Sequence, residues 1–156
     1  MLLSACNNSK YDLENLVPQE YHKILYVNNS GKQEMTLYDT GEDYTYTLSV
    51  IKTGSDPTLT ANAQINVLSQ EEVDQLYSNP EAVNYKVLSE ESFSLETADL
   101  VFTSEDHSKS VNVSVNSTKV KALIESNPEA KWVLPLRVTS QTDSVNAAKN
   151  ELFLQI

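Results

Sequence analysis

The sequence has 156 residues and a mass of 17.4 kDa, a length that suits one domain. Its 11 Lys and Arg residues against 22 Asp and Glu residues give a formal net charge of −11. This charge argues against binding of nucleic acid or of anionic lipid through a basic patch, because both need clustered Lys and Arg. The single cysteine excludes an internal disulfide and a multi-cysteine zinc site.

Residues 1–21 are predicted to be the remnant of a lipoprotein targeting signal followed by a flexible tether. Leu3-Ser4-Ala5-Cys6 resembles a bacterial lipobox, in which small residues precede a cysteine whose thiol becomes acylated. Cys6 is therefore the predicted lipidation site, and a chance or buried cysteine is the alternative. The five residues before Cys6 cannot supply the apolar stretch of a signal peptide. We therefore expect that the start is truncated or that Met1 is an internal Met of a longer reading frame. The polar segment 7–17 is typical of a tether.

From His22 onwards, short segments with alternating apolar residues predict β-structure. The clearest is 43–51, where Tyr44, Tyr46, Leu48 and Val50 share one face and are assigned to the core. Further strands are predicted at residues 22–27, 34–38, 59–67, 85–87, 93–95, 100–102, 111–115, 132–138 and 152–156.

Two short helices are predicted between strands. Ser69-Gln70-Glu71-Glu72 fits a capping box, and Pro80 is expected to stop the helix that follows. Ser117 is the predicted N-cap of the second helix, which ends near Pro128.

Pro135 lies within the predicted strand 132–138 and cannot donate to a strand ladder, which predicts that this strand is at an edge or carries a bulge. Seven or more short strands with turn signals between them predict an all-β fold. We expect a two-sheet antiparallel β-sandwich over residues 22–156, with the two short helices in its connections.

Several segments together resemble the N-terminal immunoglobulin-like domain of unknown function found in lipoproteins of the Bacteroidetes (the domain-of-unknown-function 1735 family). The segments are 27–31, 37–44, residues Thr45, Leu48 and Val50, and then 67–73, 85–88, 134–137, 144–146 and 149–152. The resemblance implies an immunoglobulin-like sandwich on a cell-envelope lipoprotein, often encoded beside glycan-utilisation genes and often followed by a further module. It supplies no ligand residues, because none are established for the domain itself.

The sequence does not present a catalytic or cofactor-binding pattern. Asp39-Thr40-Gly41 spells the aspartic-protease triplet, but that chemistry needs two such carboxylates and only one copy exists. A turn is the better interpretation. His22 and His107 lack partners at metal-ligand spacing. Asp39, Glu42 and Asp43 could supply oxygen ligands to calcium, although a solvated acidic turn is favoured. We therefore expect no enzyme activity, no metal and no cofactor.

Trp132 is the candidate for a glycan contact, because a flat ring can stack on a pyranose face. This function requires the ring to be exposed at the start of its strand. Because Trp132 shares a face with Leu134 and Leu136, a place in the core is the favoured alternative. Asp143-Ser144-Val145 resembles the Bacteroidetes O-glycosylation acceptor, which makes Ser144 a candidate modification site.

Together these features predict a non-catalytic cell-envelope lipoprotein domain that binds glycan or acts as a spacer module in polysaccharide utilisation. The expected location is the outer membrane, at the cell surface or on the periplasmic face, with attachment through a lipid anchor only. The expected partners are a polysaccharide and proteins of a glycan-utilisation system, and no nucleic acid. The alternative is a structural or adhesive subunit that assembles through edge-strand pairing.

Overall fold

The computed structural model describes residues 17–56, 58–77 and 83–156. Within them, eleven strands and two α-helices follow one another. In chain order they are β1 (Ile24–Val27), β2 (Gly31–Glu34), β3 (Asp43–Thr53), β4 (Ala61–Val67), α1 (Gln70–Tyr77), β5 (Tyr85–Val87), β6 (Phe93–Leu95), β7 (Asp99–Phe102), β8 (Ser108–Asn116), α2 (Ser117–Ser126), β9 (Lys131–Thr139), β10 (Ser144–Val145) and β11 (Glu151–Gln155).

The strands form two sheets. The five-stranded sheet has the order β10-β1-β3-β8-β6, and the six-stranded sheet has the order β2-β11-β9-β4-β7, with β5 beside the first part of β9. The predicted all-β, immunoglobulin-like sandwich with two short helices is confirmed. The sheets are mixed rather than purely antiparallel, because β1–β10, β2–β11 and β5–β9 are parallel pairs.

The main core lies between the two sheets and is built by strand alternation, which sends every second side chain to the same face. In the five-stranded sheet the inward side chains include Leu48 and Val50 of β3. They meet the inward row of β9, which is Trp132, Leu134, Leu136 and Val138. The other buried members are Leu25, Val27, Met35, Ala61, Ala63, Ile65, Leu88, Leu100, Phe102, Val111, Val113, Val115, Val120, Leu152 and Leu154.

A second, smaller cluster covers the opposite face of the six-stranded sheet. Val73 of α1 packs there with Leu68, Tyr85, Val133 and Phe153. The Phe153 ring stacks on Tyr77 at a centroid distance of 4.1 Å and meets the Tyr85 ring edge-on at 5.1 Å. Strand β9 is therefore buried on both of its faces, since Val133 points to this cluster while Trp132 and Leu134 point to the main core.

The position of Pro135 corrects the expectation of an edge strand or a bulge. Pro135 lies in β9, which has β11 on one side and β5 and β4 in succession on the other. Its carbonyl accepts a hydrogen bond from the Leu68 N–H, at the point where β5 has ended and β4 has just stopped pairing. The N–H and C=O of one residue point to the same side of a strand, so the missing donor of Pro135 falls in this break and costs no ladder bond.

The predicted strand at 34–38 is wrong in its position. The structure places β2 earlier, at Gly31–Glu34, where it pairs in parallel with β11. Its side chains are mostly exposed at the sheet edge, so no apolar alternation marks it in the sequence. Met35 is buried just after β2 ends, where the chain crosses towards the other sheet.

The assignment of Tyr44 to the core is also wrong, because 44% of its surface is exposed. Tyr44 does lie on the inward face of β3. However, β1 pairs only with the last four residues of β3, Val50–Thr53, so the first half of β3 extends beyond that neighbour. Tyr46, two residues further along β3 and on the same face, is half-buried.

The predicted N-cap at Ser69 is confirmed for α1, and the predicted N-cap at Ser117 is wrong for α2. The capping box of α1 is confirmed: the Ser69 N–H donates to Glu72 Oε2 at 2.8 Å, and the Glu72 N–H donates to Ser69 Oγ at 3.2 Å. The first of these bonds holds the pKa of Glu72 below its ordinary value. Helix α2 is capped by Asn116, whose side chain accepts from Lys119 N–H, while the Ser117 hydroxyl donates to the Glu42 carbonyl.

We expect Ser69→Ala to lower the free energy of unfolding by about 0.5–2 kcal/mol, because it removes one half of the capping box. Ser89→Ala is the matched control, since Ser89 precedes a short 3-10 turn and makes no side-chain capping bond. Urea unfolding followed by circular dichroism measures both. Equal effects of the two substitutions would contradict the role given to Ser69.

Candidate functional site

The structure places two of the three predicted site residues, Trp132 and Ser144. Cys6 lies outside the described residues. Trp132 is only 9% exposed and packs in the main core, so it does not meet the condition set for a glycan-stacking platform. Its indole Nε1 finds no hydrogen-bond partner within the described part of the chain. Ser144 is half-buried in β10, at the edge of the five-stranded sheet and opposite Ile24.

Asp143, the neighbour of Ser144, ties the two sheets together. Its carboxylate forms an ion pair with Lys23 and accepts from the Asn62 N–H at 3.0 Å and from the Thr142 hydroxyl at 2.8 Å. The pairing of β9 with β4 ends at Thr139 and Gln64. Beyond this pair, side chains bond the backbone of Asn62 in place of a strand: Asp143 accepts from its N–H, and Ser140 Oγ donates to its carbonyl. Burial raises the pKa of Asp143, but these hydrogen bonds outweigh it and hold the pKa below its ordinary value.

A polar groove of about 590 Å³ lies beside this cluster and is lined by Gln19, Glu20, Lys23, Gln141, Thr142, Asp143 and Ser144. Two of its charged groups, Lys23 and Asp143, are already paired with each other. Lys23 Nζ also donates to the Thr60 carbonyl at 2.8 Å. The pair therefore fixes the loops at this end of the sandwich and offers neither a free base nor a free nucleophile.

In the acidic turn at residues 39–43, the carboxylates of Asp39 and Asp43 are bonded to other side chains. Asp39 forms an ion pair with Lys121 at 2.7 Å, and both side chains are about half exposed. Asp43 accepts from the Asn116 side-chain amide at 2.8 Å. Within residues 17–56, 58–77 and 83–156, no three His, Cys, Asp or Glu residues are grouped so that they could hold a metal ion. His22 bonds the Val17 carbonyl through Nε2 at 2.9 Å.

Lys52 is a buried cation that the sequence pattern did not indicate. It is 2% exposed and occupies an inward position of β3, where its Nζ donates to the carbonyls of Leu59 at 2.8 Å and Thr103 at 2.7 Å. These carbonyls belong to the β3–β4 and β7–β8 loops. Lys52 therefore closes the same end of the sandwich as the Lys23–Asp143 pair, and its donors are used for loop anchoring.

A further polar network lies under α1. The Tyr77 hydroxyl donates to Glu151, whose carboxylate also accepts from Arg137 Nε at 2.8 Å. Burial, and then the hydrogen bond to Glu151, raises the pKa of Tyr77 well above its ordinary value. Arg137 also approaches Glu72 at 3.7 Å. The network is continuous with the capping box, so its role is to hold α1 on the six-stranded sheet.

One broad surface is left uncovered by the described helices: the outward face of the five-stranded sheet. The register places hydroxyl and amide side chains side by side there, with Thr45 opposite Ser114 and Thr47 opposite Asn112. We call this surface the hydroxyl face and define it by Thr45, Thr47, Ser49, Ser94, Ser110, Asn112 and Ser114. These seven residues are uncharged, and the carboxylates of Asp43 and Glu96 lie beside them on the same side of the sheet.

The hydroxyl face is held in place by bonds between neighbouring strands. Thr47 Oγ1 donates to Asn112 Oδ1 at 3.1 Å, and the hydroxyls of Ser49 and Ser110 lie 2.9 Å apart. The face is bordered along β1 by Tyr26, which stands opposite Ile51 and has the Lys149 ammonium 5.5 Å from its ring centre. Tyr26 is the half-buried aromatic ring on the same side of the sheet.

The sequence signal for this face was partly visible. The alternation of β3 placed Asp43, Thr45, Thr47 and Ser49 opposite the core, and the same alternation appears in β8. What the sequence did not give was the pairing of β3 with β8, which joins two polar strand faces into one surface.

A family model described as an N-terminal domain matches residues 7–145. The chain belongs to this family. The match stops before β11, although β11 pairs with both β9 and β2 and is part of the same folded unit. A search of curated proteins finds no match.

Solved structures share the fold at low sequence identity. A proposed carbohydrate-binding protein from Bacteroides ovatus has a TM-score of 0.67 and 18% identity over 84% of this chain and 36% of its own. A multidomain protein including DUF1735, also from Bacteroides ovatus, has a TM-score of 0.57 and 17% identity over 85% of this chain and 43% of its own. The resemblance to the Bacteroidetes domain of unknown function is thus confirmed.

A third structure is EndoBT-3987 of Bacteroides thetaiotaomicron with a Man5GlcNAc product, at a TM-score of 0.55 and 10% identity. It is matched over 84% of this chain and 30% of its own. The chain therefore spans between 30% and 43% of the length of these three structures. At such identities the similarity concerns the fold.

No helix in the described ranges combines the length and apolar character needed to cross a membrane.

We expect Trp132→Ala to lower the free energy of unfolding by about 3–5 kcal/mol, because it empties a large volume of the main core. Trp132→Phe should cost much less, since Phe keeps most of the ring volume and Nε1 has no partner to lose. Guanidinium unfolding measures both. A Trp132→Ala variant as stable as the wild type would contradict the core position.

We expect Asp143→Asn to lower the free energy of unfolding by about 1–3 kcal/mol at pH 7, because it removes a buried charged acceptor. The depressed pKa of Asp143 makes its contribution complete above about pH 4 and diminishing as the pH falls further. The stability difference between wild type and variant should therefore narrow below about pH 4 in urea unfolding. Asp39→Asn, at an exposed ion pair, is the control and should change stability little.

Proposed function

We propose that the chain is a non-catalytic, glycan-associated module of a cell-envelope lipoprotein, which holds a neighbouring module away from the membrane. The observation that carries the proposal is the placement of the first and last strands. β1 begins at one end of the sandwich and β11 finishes at the other, so the two connections of the domain point in opposite directions.

The placement follows from contacts at one end of the sandwich. Lys23, just before β1, touches Thr60 before β4 and Asp143 after β9. The starts of β1 and β4 and the finish of β9 therefore share this end. Because β11 is antiparallel to β9 and pairs Gln155 with Val133, β11 finishes at the far end. The 11 residues of β3 span about 33 Å between the ends.

The glycan association is supported by the neighbours in fold. One is a proposed carbohydrate-binding protein and another holds a Man5GlcNAc product. In this chain, the Lys23–Asp143, Asp39–Lys121 and Arg137–Glu151 pairs occupy charged groups that general acid–base chemistry would need. A binding or spacing module accounts for this arrangement better than a hydrolase.

Assembly through edge strands is the alternative function. The outer strands of the two sheets are β10 and β6, and β2 and β7, each only two to four residues long. Such short edges give a partner strand few backbone groups to pair with. The geometry therefore favours the spacer function over the edge-assembly function.

Lipidation at Cys6 and O-glycosylation at Ser144 remain predictions that belong to this proposal. Ser144 pairs with Ile24 and so lies on the outward side of the five-stranded sheet, where an attached sugar would project away from the core. Lipid at Cys6 would place the Lys23 end nearest to the outer membrane, and the far end nearest to the neighbouring module.

The test is to express the chain with a native-type lipoprotein leader in a Bacteroidetes host and measure its location, its mass and its activity. We expect a membrane-bound protein that takes up a palmitate analogue at Cys6 and carries an added sugar mass at Ser144. We also expect no new reducing ends when it is incubated with polysaccharides.

Two substitutions are the controls for this experiment. Cys6→Ala should abolish labelling and membrane attachment, and Ser144→Ala should remove the sugar mass. A soluble wild-type protein would contradict the envelope placement. Release of reducing ends that follows the purified protein through a second chromatography step would contradict the non-catalytic assignment.

A further inference from the structure

We propose that the hydroxyl face, defined above on β3, β8 and β6, binds a neutral polysaccharide chain. This inference rests on the proposed glycan association and adds to it a location and a ligand class. The face consists of side chains that both donate and accept hydrogen bonds, and it contains no ion pair. No helix among the described residues covers it, in contrast to the outward face of the six-stranded sheet under α1.

The charge of the face indicates a neutral ligand. The chain has 22 acidic residues against 11 basic ones, yet the seven positions of the face are all uncharged. An acidic polysaccharide would be repelled by the net charge of the protein and would find no Lys or Arg on this surface to compensate. Asp43 and Glu96 lie beside the face, where Asp43 accepts from the Asn116 amide and Glu96 accepts from the Asn112 N–H, and both carboxylates add to this repulsion.

The hydrogen-bonding groups of the face are already oriented, which lowers the entropy cost of binding. Thr47 is fixed to Asn112, and Ser49 is fixed to Ser110. Each hydroxyl in these pairs keeps further acceptor capacity, and the Asn112 amide keeps both of its N–H donors within the described contacts. A row of such groups matches the alternating donors and acceptors of sugar hydroxyls.

The size of the face suits a short stretch of a glycan chain. Its rows follow β3 from Thr45 to Ser49 and β8 from Ser110 to Ser114, so the face extends about 14 Å along the strands and about 10 Å across β3, β8 and β6. At one end it meets the Tyr26 ring and Ile51, where a sugar ring could stack on the exposed part of the aromatic side chain. This combination of hydrogen-bonding side chains with one aromatic ring at their border favours a glycan ligand.

The experiment is a binding titration of the full chain with four soluble neutral polysaccharides, namely mannan, starch, xylan and a mixed-linkage β-glucan, and with polygalacturonate as the acidic comparison. The protein is produced in a host that does not glycosylate it, because Ser144 lies on the same side of the sheet. Affinity gel electrophoresis finds the ligand and calorimetry measures the dissociation constant.

Two variants remove the face by different means. Ser110→Glu places a charge at its centre, and Thr47→Val combined with Asn112→Ala removes hydrogen bonds without adding charge. The controls are Thr118→Glu, at an exposed position of α2, and Thr36→Val, at an exposed position after β2. Unfolding midpoints are measured for all variants, so that a loss of binding is separated from a loss of folding.

We expect binding to at least one neutral polysaccharide, no binding to polygalacturonate, and about a tenfold or greater loss of affinity in both face variants. The controls should bind like the wild type. Undiminished binding in folded face variants would overturn the location while leaving the glycan association intact. No binding of the wild type to any of the four neutral polysaccharides would overturn both. A dimer of the wild type that Ser110→Glu dissociates would assign the face to self-association and overturn the inference.

Discussion

The burial of β9 on both faces is the constraint on which the rest of the structure depends. Trp132, Leu134 and Leu136 fill the space between the sheets, while Val133 on the opposite face lies in the cluster under α1. A strand buried on both sides cannot shift its register by one residue without placing each side chain in the wrong layer. It therefore fixes the positions of β11, β4 and β5, and through α1 it determines which sheet face is closed to solvent.

The outward faces of the two sheets differ, because among the described residues a helix covers only that of the six-stranded sheet. Helix α1, with the Tyr77–Glu151–Arg137 network beneath it, occupies the outward side of the six-stranded sheet, and only the five-stranded sheet keeps a broad solvated face. At one end of the sandwich, Lys52 and the Lys23–Asp143 pair hold the loops together through buried charged hydrogen bonds. The charged groups of this part of the chain thus act mainly in structure.

Several features could be predicted because they depend on neighbours in the sequence. The capping box at Ser69 needs only residues three apart, and the alternation of β3, β8 and β9 marks which side chains face the core. Other features could not, because they depend on partners far along the chain. Tyr44 was assigned to the core from its alternation, but β1 is too short to cover it. Pro135 was assigned to an edge, but the break between β5 and β4 accommodates its missing N–H in a central strand.

The sequence by itself indicated the class of the fold and the two short helices, because local periodicity carries this information, and its net charge argued against nucleic-acid binding. The candidate lipidation site at Cys6 came from the resemblance of residues 3–6 to a lipobox. Only the tertiary structure decided the burial and the contacts of particular side chains. It buried Trp132, brought Lys23 and the Asn62 N–H to Asp143 from distant segments, and joined the polar sides of β3 and β8 into one surface. The physical reason is that strand alternation tells which side a residue faces, whereas strand pairing, set by distant residues, decides what lies beside it and what covers it.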